Sequence, residues 1–113
     1  MGGSGGANFG NTRGKSVNRL PKNNAQIKHI FADRKGHLPD TKENRNLLIR
    51  TANDQSAYKG IDKYGNVWHV KLDSNGRQLW TRSRNGIINE GGRNEIPLKW
   101  DSETGLNHNP FRK

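Results

Sequence analysis

Four histidines, His29, His37, His69 and His108, are the side chains that can both take and give a proton near neutral pH. Chemistry built on metals needs His, Asp and Glu that converge, and the ten acids are scattered with no HxxxH, HExxH or DxD spacing among them. The chain has no Cys, which removes disulfides, zinc ribbons, iron–sulfur sites and thiol nucleophiles. No Gly-x-Ser-x-Gly elbow is present, and the Gly-rich leader lacks the Lys-Ser/Thr of a phosphate loop. Asn107-His108-Asn109 is superficially like a nuclease signature, but it lacks the second His, the acids and a following helix, so His108 reads as a tail residue. Metal-free RNA cleavage stays open. It needs a base for the ribose 2′-hydroxyl, an acid for the leaving 5′-oxygen, and cations for the extra phosphate charge.

The cations are plentiful. With 20 Lys and Arg against 10 Asp and Glu in 113 residues, the net charge is +10, and the pI is about 10.4. So basic a chain, long enough for one small domain, points to a polyanionic partner, with nucleic acid first, an acidic protein second and an anionic membrane third. No apolar run approaches the ~18 residues of a membrane span, no secretory leader opens the chain, and no long basic amphipathic helix suggests membrane-surface binding. Only 28% of residues are hydrophobic, so the core is expected to be small.

Residues 1–24 read as a flexible, Gly-rich basic linker, and residues 25–113 as the folded domain. Residues 25–31 place Ile27, Ile30 and Phe31 at helical spacing behind Asn24 as N-cap. A second helix opens after Pro39, capped by Asp40 or Thr41, with Asp40 and Glu43 spaced as a capping box. Leu47, Leu48 and Thr51 form its inner stripe. Turn signals at Tyr64-Gly65-Asn66, Asn75-Gly76 and Asn85-Gly86 then mark out strands, the latter two read as type I′ hairpins. The fold class expected is α+β, with one or two N-terminal helices packed on a three- to four-stranded antiparallel β-meander, and with residues beyond Gly92 in loops.

Strand alternation gives the meander two faces. Centring the second hairpin on Asn75-Gly76 sets Leu72 opposite Leu79 and Lys71 opposite Trp80. Trp68, Val70, Leu72, Leu79, Thr81, Ser83 and Ile61 then share an apolar face for the Leu47–Leu48 helix. The other face collects His69, Lys71, Trp80, Arg82 and Arg84 and is expected to be open to solvent. Cations there would bind phosphates, and the indole would stack on a base; the plainer reading is a solvated face with Trp80 partly covered by arginines. His29 and His37 would approach from the helix–loop segment, though His29 also suits a packed helix position and His69 a cross-strand pair.

A resemblance adds to this. His29-Ile-Phe31, Gly36-His-Leu-Pro-Asp-Thr41, Glu43-Asn-Arg45, Leu47-Leu48, Ala52-Asn53, Gly60-Ile-Asp-Lys-Tyr-Gly-Asn66, Trp68, Lys71, Gly76, Gln78-Leu-Trp80, Arg84-Asn-Gly86, Asn89, Gly91-Gly92, Asn94 and Trp100-Asp-Ser-Glu-Thr-Gly-Leu106 stand in this order. Over residues 28–106 the chain resembles C-terminal toxin domains of bacterial polymorphic toxins, of the contact-dependent inhibition and LXG types. The resemblance implies a BECR-like fold (barnase/EndoU/colicin/RelE) and a metal-independent endoribonuclease without cofactor. It also implies cleavage of RNA, often tRNA, in the cytoplasm of a competing bacterium reached as part of a larger secreted effector, and a cognate immunity protein. Charge complementarity makes that partner acidic. Carried over as catalytic are His29, His37, Lys71 and Arg84, with the two histidines as base and acid; His69, Trp80 and Arg82 are substrate-binding on the face argument alone. The rival functions are a non-catalytic nucleic-acid-binding module and a DNase toxin.

Overall fold

The computed structural model describes residues 17–106; His108 and most of the Gly-rich leader lie outside them. Two helices precede a four-stranded antiparallel sheet, so the α+β class is as expected. Helix α1 (Asn24–Ile30) is capped by Asn23, one residue earlier than expected, its side chain accepting from the Ala25 and Gln26 N–H groups. Helix α2 (Lys42–Ala52) is capped by Thr41, whose hydroxyl accepts from Asn44 N–H. Asp40 forms no capping box and instead takes a two-pronged ion pair from Arg45 at 2.6 and 2.8 Å.

The sheet comprises β1 (Tyr58–Ile61), β2 (Val67–Leu72), β3 (Gln78–Arg84) and β4 (Ile87–Asn94), in that order. β4 runs four residues past the expected Glu90. A two-stranded ladder, β5 (Trp100–Asp101) with β6 (Gly105–Leu106), replaces part of the expected tail loop. The linker boundary also moves. Asn18 bonds Asn53 and the Ala52 carbonyl, Arg19 pairs with Ile87 as an isolated parallel bridge, and Pro21 is buried, so residues 18–23 belong to the packed body.

The largest correction concerns register. Leu72 pairs with Gln78, Lys71 with Leu79, Val70 with Trp80, His69 with Thr81 and Trp68 with Arg82. The β2–β3 connection is a three-residue loop: Asp73 N–H donates to Arg77 O and Gly76 N–H to Asp73 O, with Gly76 at φ +78°. That is a type I turn closed by a left-handed glycine, and its odd length flips side-chain parity relative to a two- or four-residue loop. The β1–β2 loop repeats it, with Gly65 at φ +88°. In both loops the leading Asp accepts two backbone N–H groups, Tyr64 and Asn66 on Asp62, Asn75 and Arg77 on Asp73. Only the β3–β4 turn, Asn85-Gly86 with φ of 54° and 79°, is the expected type I′.

Directly opposed residues share a face. One face therefore carries His69, Lys71, Leu79, Thr81 and Ser83, and the other carries Trp68, Val70, Trp80, Arg82 and Arg84. α2 covers the first face: a Cβ on Gly91, opposite Thr81, would touch Leu48. Leu48 joins Ile27, Ile30, Phe31, Leu38, Ala52 and Ile88 in the larger core cluster. On the second face Trp68, Trp80 and Leu106 form a smaller cluster, with Trp68 and Trp80 stacked 5.7 Å apart and Trp100 edge-on to Trp68. Ile61 pairs with Val67, off the Trp68 face where it was expected, and is exposed.

Candidate functional site

The expected cradle of His69, Lys71, Trp80, Arg82 and Arg84 on one open face does not form. Lys71 and Arg82 lie on opposite sides of the sheet. Lys71 is bonded to Asp54 at 2.7 Å, and this ammonium, then the Ser56 hydroxyl, pull the Asp54 carboxyl down to about 2. His69 is buried against Tyr58, ring to ring at 5.8 Å. Burial lowers its pKa, with the Asp54 charge acting the other way. Trp80 is 2% exposed and its indole N–H donates to the Gly36 carbonyl at 3.2 Å, so it is a core residue and offers no face to a base.

His29, His37 and Arg82 do come together, around a residue absent from the candidates above. Glu90 pairs across the sheet with Arg82, and its Oε2 lies 2.7 Å from His29 Nε2 and 3.5 Å from the Arg34 guanidinium. Its Oε1 is buried without a hydrogen-bond partner among the described residues and lies 3.7 Å from His37 Nδ1. A β-bulge aims it there. Ser83 pairs with Ile88 and Arg82 with Glu90, leaving Asn89 as the extra residue. Without the bulge Ile88 and Glu90 would share a face; with it, Ile88 enters the main core while Glu90 turns toward α1.

The two histidines differ in access. The His29 side chain is 57% exposed and that of His37 is 7%. His37 Nδ1 is 2.8 Å from the Ile30 carbonyl, an acceptor only, so Nδ1 carries a proton and is committed to the loop. Its ring stands edge-on to Trp80 at 5.7 Å. His37 thus positions the 31–38 loop beneath Glu90, and, so buried, it has no access to a substrate for the base or acid role expected of one of the two histidines. Glu90 holds His29 Nε2 while Nδ1 makes no hydrogen bond within the described residues, the arrangement in which a carboxylate fixes an imidazole as a base.

Arg82 is held in place by a chain of amides. Its Nε donates to Asn89 Oδ1, Asn89 Nδ2 to Asn66 Oδ1, and Asn66 Nδ2 to Asp62 Oδ2, which also accepts the Trp68 indole N–H at 2.8 Å. Burial raises the Asp62 pKa, but these donors, with the Asn66 and Tyr64 backbone amides, outweigh it and keep the carboxyl low. The Arg82 Nη groups make no hydrogen bond within the described residues. The guanidinium lies over the Trp68 ring at 6.0 Å, and Arg82 lines a depression of about 290 Å³ together with His29, Gln26, Ile87 and Asn89. Arg84 lies beyond it, in an adjoining depression. Among the described residues no three His, Asp or Glu are grouped so that they could hold a metal ion.

Glu90 had a readable signal in the sequence: it is the one acid between Asp73 and Glu95, in a stretch holding Arg77, Arg82, Arg84 and Arg93. A single carboxylate among so many cations marks a specific pairing. Comparison of the chain with protein-family models, with curated proteins and with solved structures gave no match.

Proposed function

We propose that the protein is a metal-independent endoribonuclease whose reaction centre is the His29–Glu90 pair with Arg82. The observation that carries this reading is the exposed imidazole of His29, held at 2.7 Å by a nearly buried carboxylate and lining the same depression as Arg82, whose Nη groups make no hydrogen bond within the described residues. His29 Nδ1 takes the proton of the 2′-hydroxyl as O2′ attacks phosphorus. The Glu90 carboxylate stabilises the imidazolium that results. As the P–O5′ bond breaks, that proton passes to O5′, leaving a 2′,3′-cyclic phosphate and a 5′-hydroxyl. The Arg82 Nη groups, and Arg34 beside Glu90, offset the charge that builds on the phosphate. Lys71 and His69 have no part in it, and Arg84 lies outside the reacting centre.

The wider setting follows the family resemblance: a toxin domain of a BECR-like fold at the end of a secreted bacterial effector, acting on tRNA in the cytoplasm of a rival cell and held in check by an acidic immunity protein. It is supported by the helices-then-meander order and by the +10 charge.

Incubation with total tRNA in EDTA tests the activity. Cleavage to 2′,3′-cyclic ends is expected, with His29→Ala and Glu90→Gln each lowering kcat about 10²-fold or more. Intact RNA from correctly folded protein overturns the reading. The non-catalytic rival predicts RNA binding that survives both substitutions and no cleavage by any form.

A further inference from the structure

Three cations remain unexplained by the chemistry at His29. Arg19, Lys22 and Arg84 line a depression of about 390 Å³ together with Gln26, Asn85 and Asn89. None of their side chains has a hydrogen bond or ion pair within the described residues. Like charges converging on one hollow repel each other, and an anion placed between them relieves that repulsion. The hollow is also built rather than accidental. Arg19 N–H donates to Gly86 O at 3.0 Å and Arg19 O accepts from Ile88 N–H at 2.8 Å, while Pro21 is buried, so the chain carrying Arg19 and Lys22 is pinned along the start of β4. Arg84 is fixed opposite Ile87 at the end of β3, beside the tight Asn85-Gly86 turn.

This depression and the one beside His29 share Pro21, Gln26, Ile87 and Asn89 as lining, so together they form a continuous groove. Arg82 stands at one end and Arg84 at the other. Two residues apart on a strand, they are about 6.7 Å from each other along the chain and on the same side. Apart from the His29 imidazole at the proposed reaction centre, no aromatic ring lines either part, so the rest of the groove offers charge and amides but no stacking platform.

We propose that Arg19, Lys22 and Arg84 form a second phosphate subsite, next to the one at Arg82, and that the substrate is a single strand longer than a dinucleotide, tracked by its backbone rather than read by its bases. This rests on the ribonuclease reading and adds the length requirement to it. Gln26 and Asn89, between the two subsites, would meet the intervening sugar or base edge by hydrogen bonds. Two of the subsite's three cations, Arg19 and Lys22, lie before the stretch that resembles the toxin domains, and the third, Arg84, lies within it.

The test compares a dinucleotide with the same dinucleotide lengthened by one phosphate-linked nucleotide at either end. For the wild-type protein one of the two extensions should raise kcat/KM about tenfold or more. In Arg19→Ala/Lys22→Ala the same extension should raise it less than threefold, with an unchanged melting temperature. In parallel, binding of a 2′-O-methyl trinucleotide, which cannot be cleaved, should weaken about tenfold in the variant. Equal gains and equal binding in both proteins overturn the subsite. If the wild-type protein cleaves no RNA but the trinucleotide still loses affinity in the variant, the subsite stands and the cleavage reading falls; the two failures are therefore separable.

Discussion

Lys71 shows how a side chain that suits a catalytic role in a sequence can be occupied by a structural one. Its ammonium closes on Asp54, which also caps the short 3-10 turn Gln55–Ala57 and bonds the Ser56 hydroxyl. The Asp54 carboxyl is lowered from 3.8 to about 2 in the folded protein. A carboxyl depressed on folding adds stability that is fully present above its unfolded value and lost as pH falls through the folded value. The window is therefore between about pH 4 and pH 2. Both partners are partly solvated, so screening reduces the contribution to about 1 kcal/mol. Lys71→Met should lose about that much in urea unfolding at pH 7, lose little at pH 2, and keep RNA cleavage within about threefold. A hundredfold fall in cleavage with unchanged stability would return Lys71 to the reaction.

At the scale of elements the lesson lies in two loops and one bulge. The helices were legible, because capping residues and apolar spacing are local signals; they came out within a residue or so of expectation. The hairpin parity was not, because Asn75-Gly76 suits a type I′ turn equally well by composition. The discriminating residue is Asp73. Its carboxylate gathers the Asn75 and Arg77 amides and favours the longer loop, and Asp62 does the same in a loop with no Asn-Gly pair. One residue of register moved every side chain of β3 to the other face. That dissolved the expected cationic platform and buried Trp80. The Asn89 bulge was equally silent in the sequence, yet it aims Glu90 at His29. Two glycines test this account. Gly76 has φ +78° and open space around a would-be Cβ, so Gly76→Ala should cost about 1 kcal/mol through backbone strain alone. Gly92 lies where the 31–38 loop crosses β4, and a Cβ there would overlap the Gly36 carbonyl. Gly92→Ala should cost about 3 kcal/mol and disturb the near-UV signal of Trp80. Equal effects of the two, measured by urea unfolding, would contradict the loop geometry.

At the scale of the whole molecule, scarce apolar residues are used on both sides of one sheet. β3 is buried along nearly its whole length, with α2 on one face and Trp100, Leu106 and the 31–38 loop on the other. The expectation from the sequence is one wet face carrying Trp80 but not Trp68; with both indoles on one side in the observed register, a wet face there would leave Trp68 and Trp80 with nothing to pack against. The charge is consequently displaced to the periphery, and under the proposed function its distribution would decide how a nucleic-acid strand is held. A diffuse +10 field engaging a single strand through all its excess cations would give a slope of log K against log salt of about −7, taking ~0.7 per phosphate contact. A groove engaging Arg19, Lys22, Arg82 and Arg84 neutralises about four phosphates and gives a slope of about −3. Titrating a 2′-O-methyl dodecanucleotide, whose eleven phosphates can satisfy either case, between 50 and 300 mM salt separates the two. The shallower slope is expected, moving to about −1.5 in Arg19→Ala/Lys22→Ala as two contacts are lost. A slope near −7 that the double variant barely changes would mean that the strand is held by the protein's overall field, and the groove would then have no claim to be its binding site.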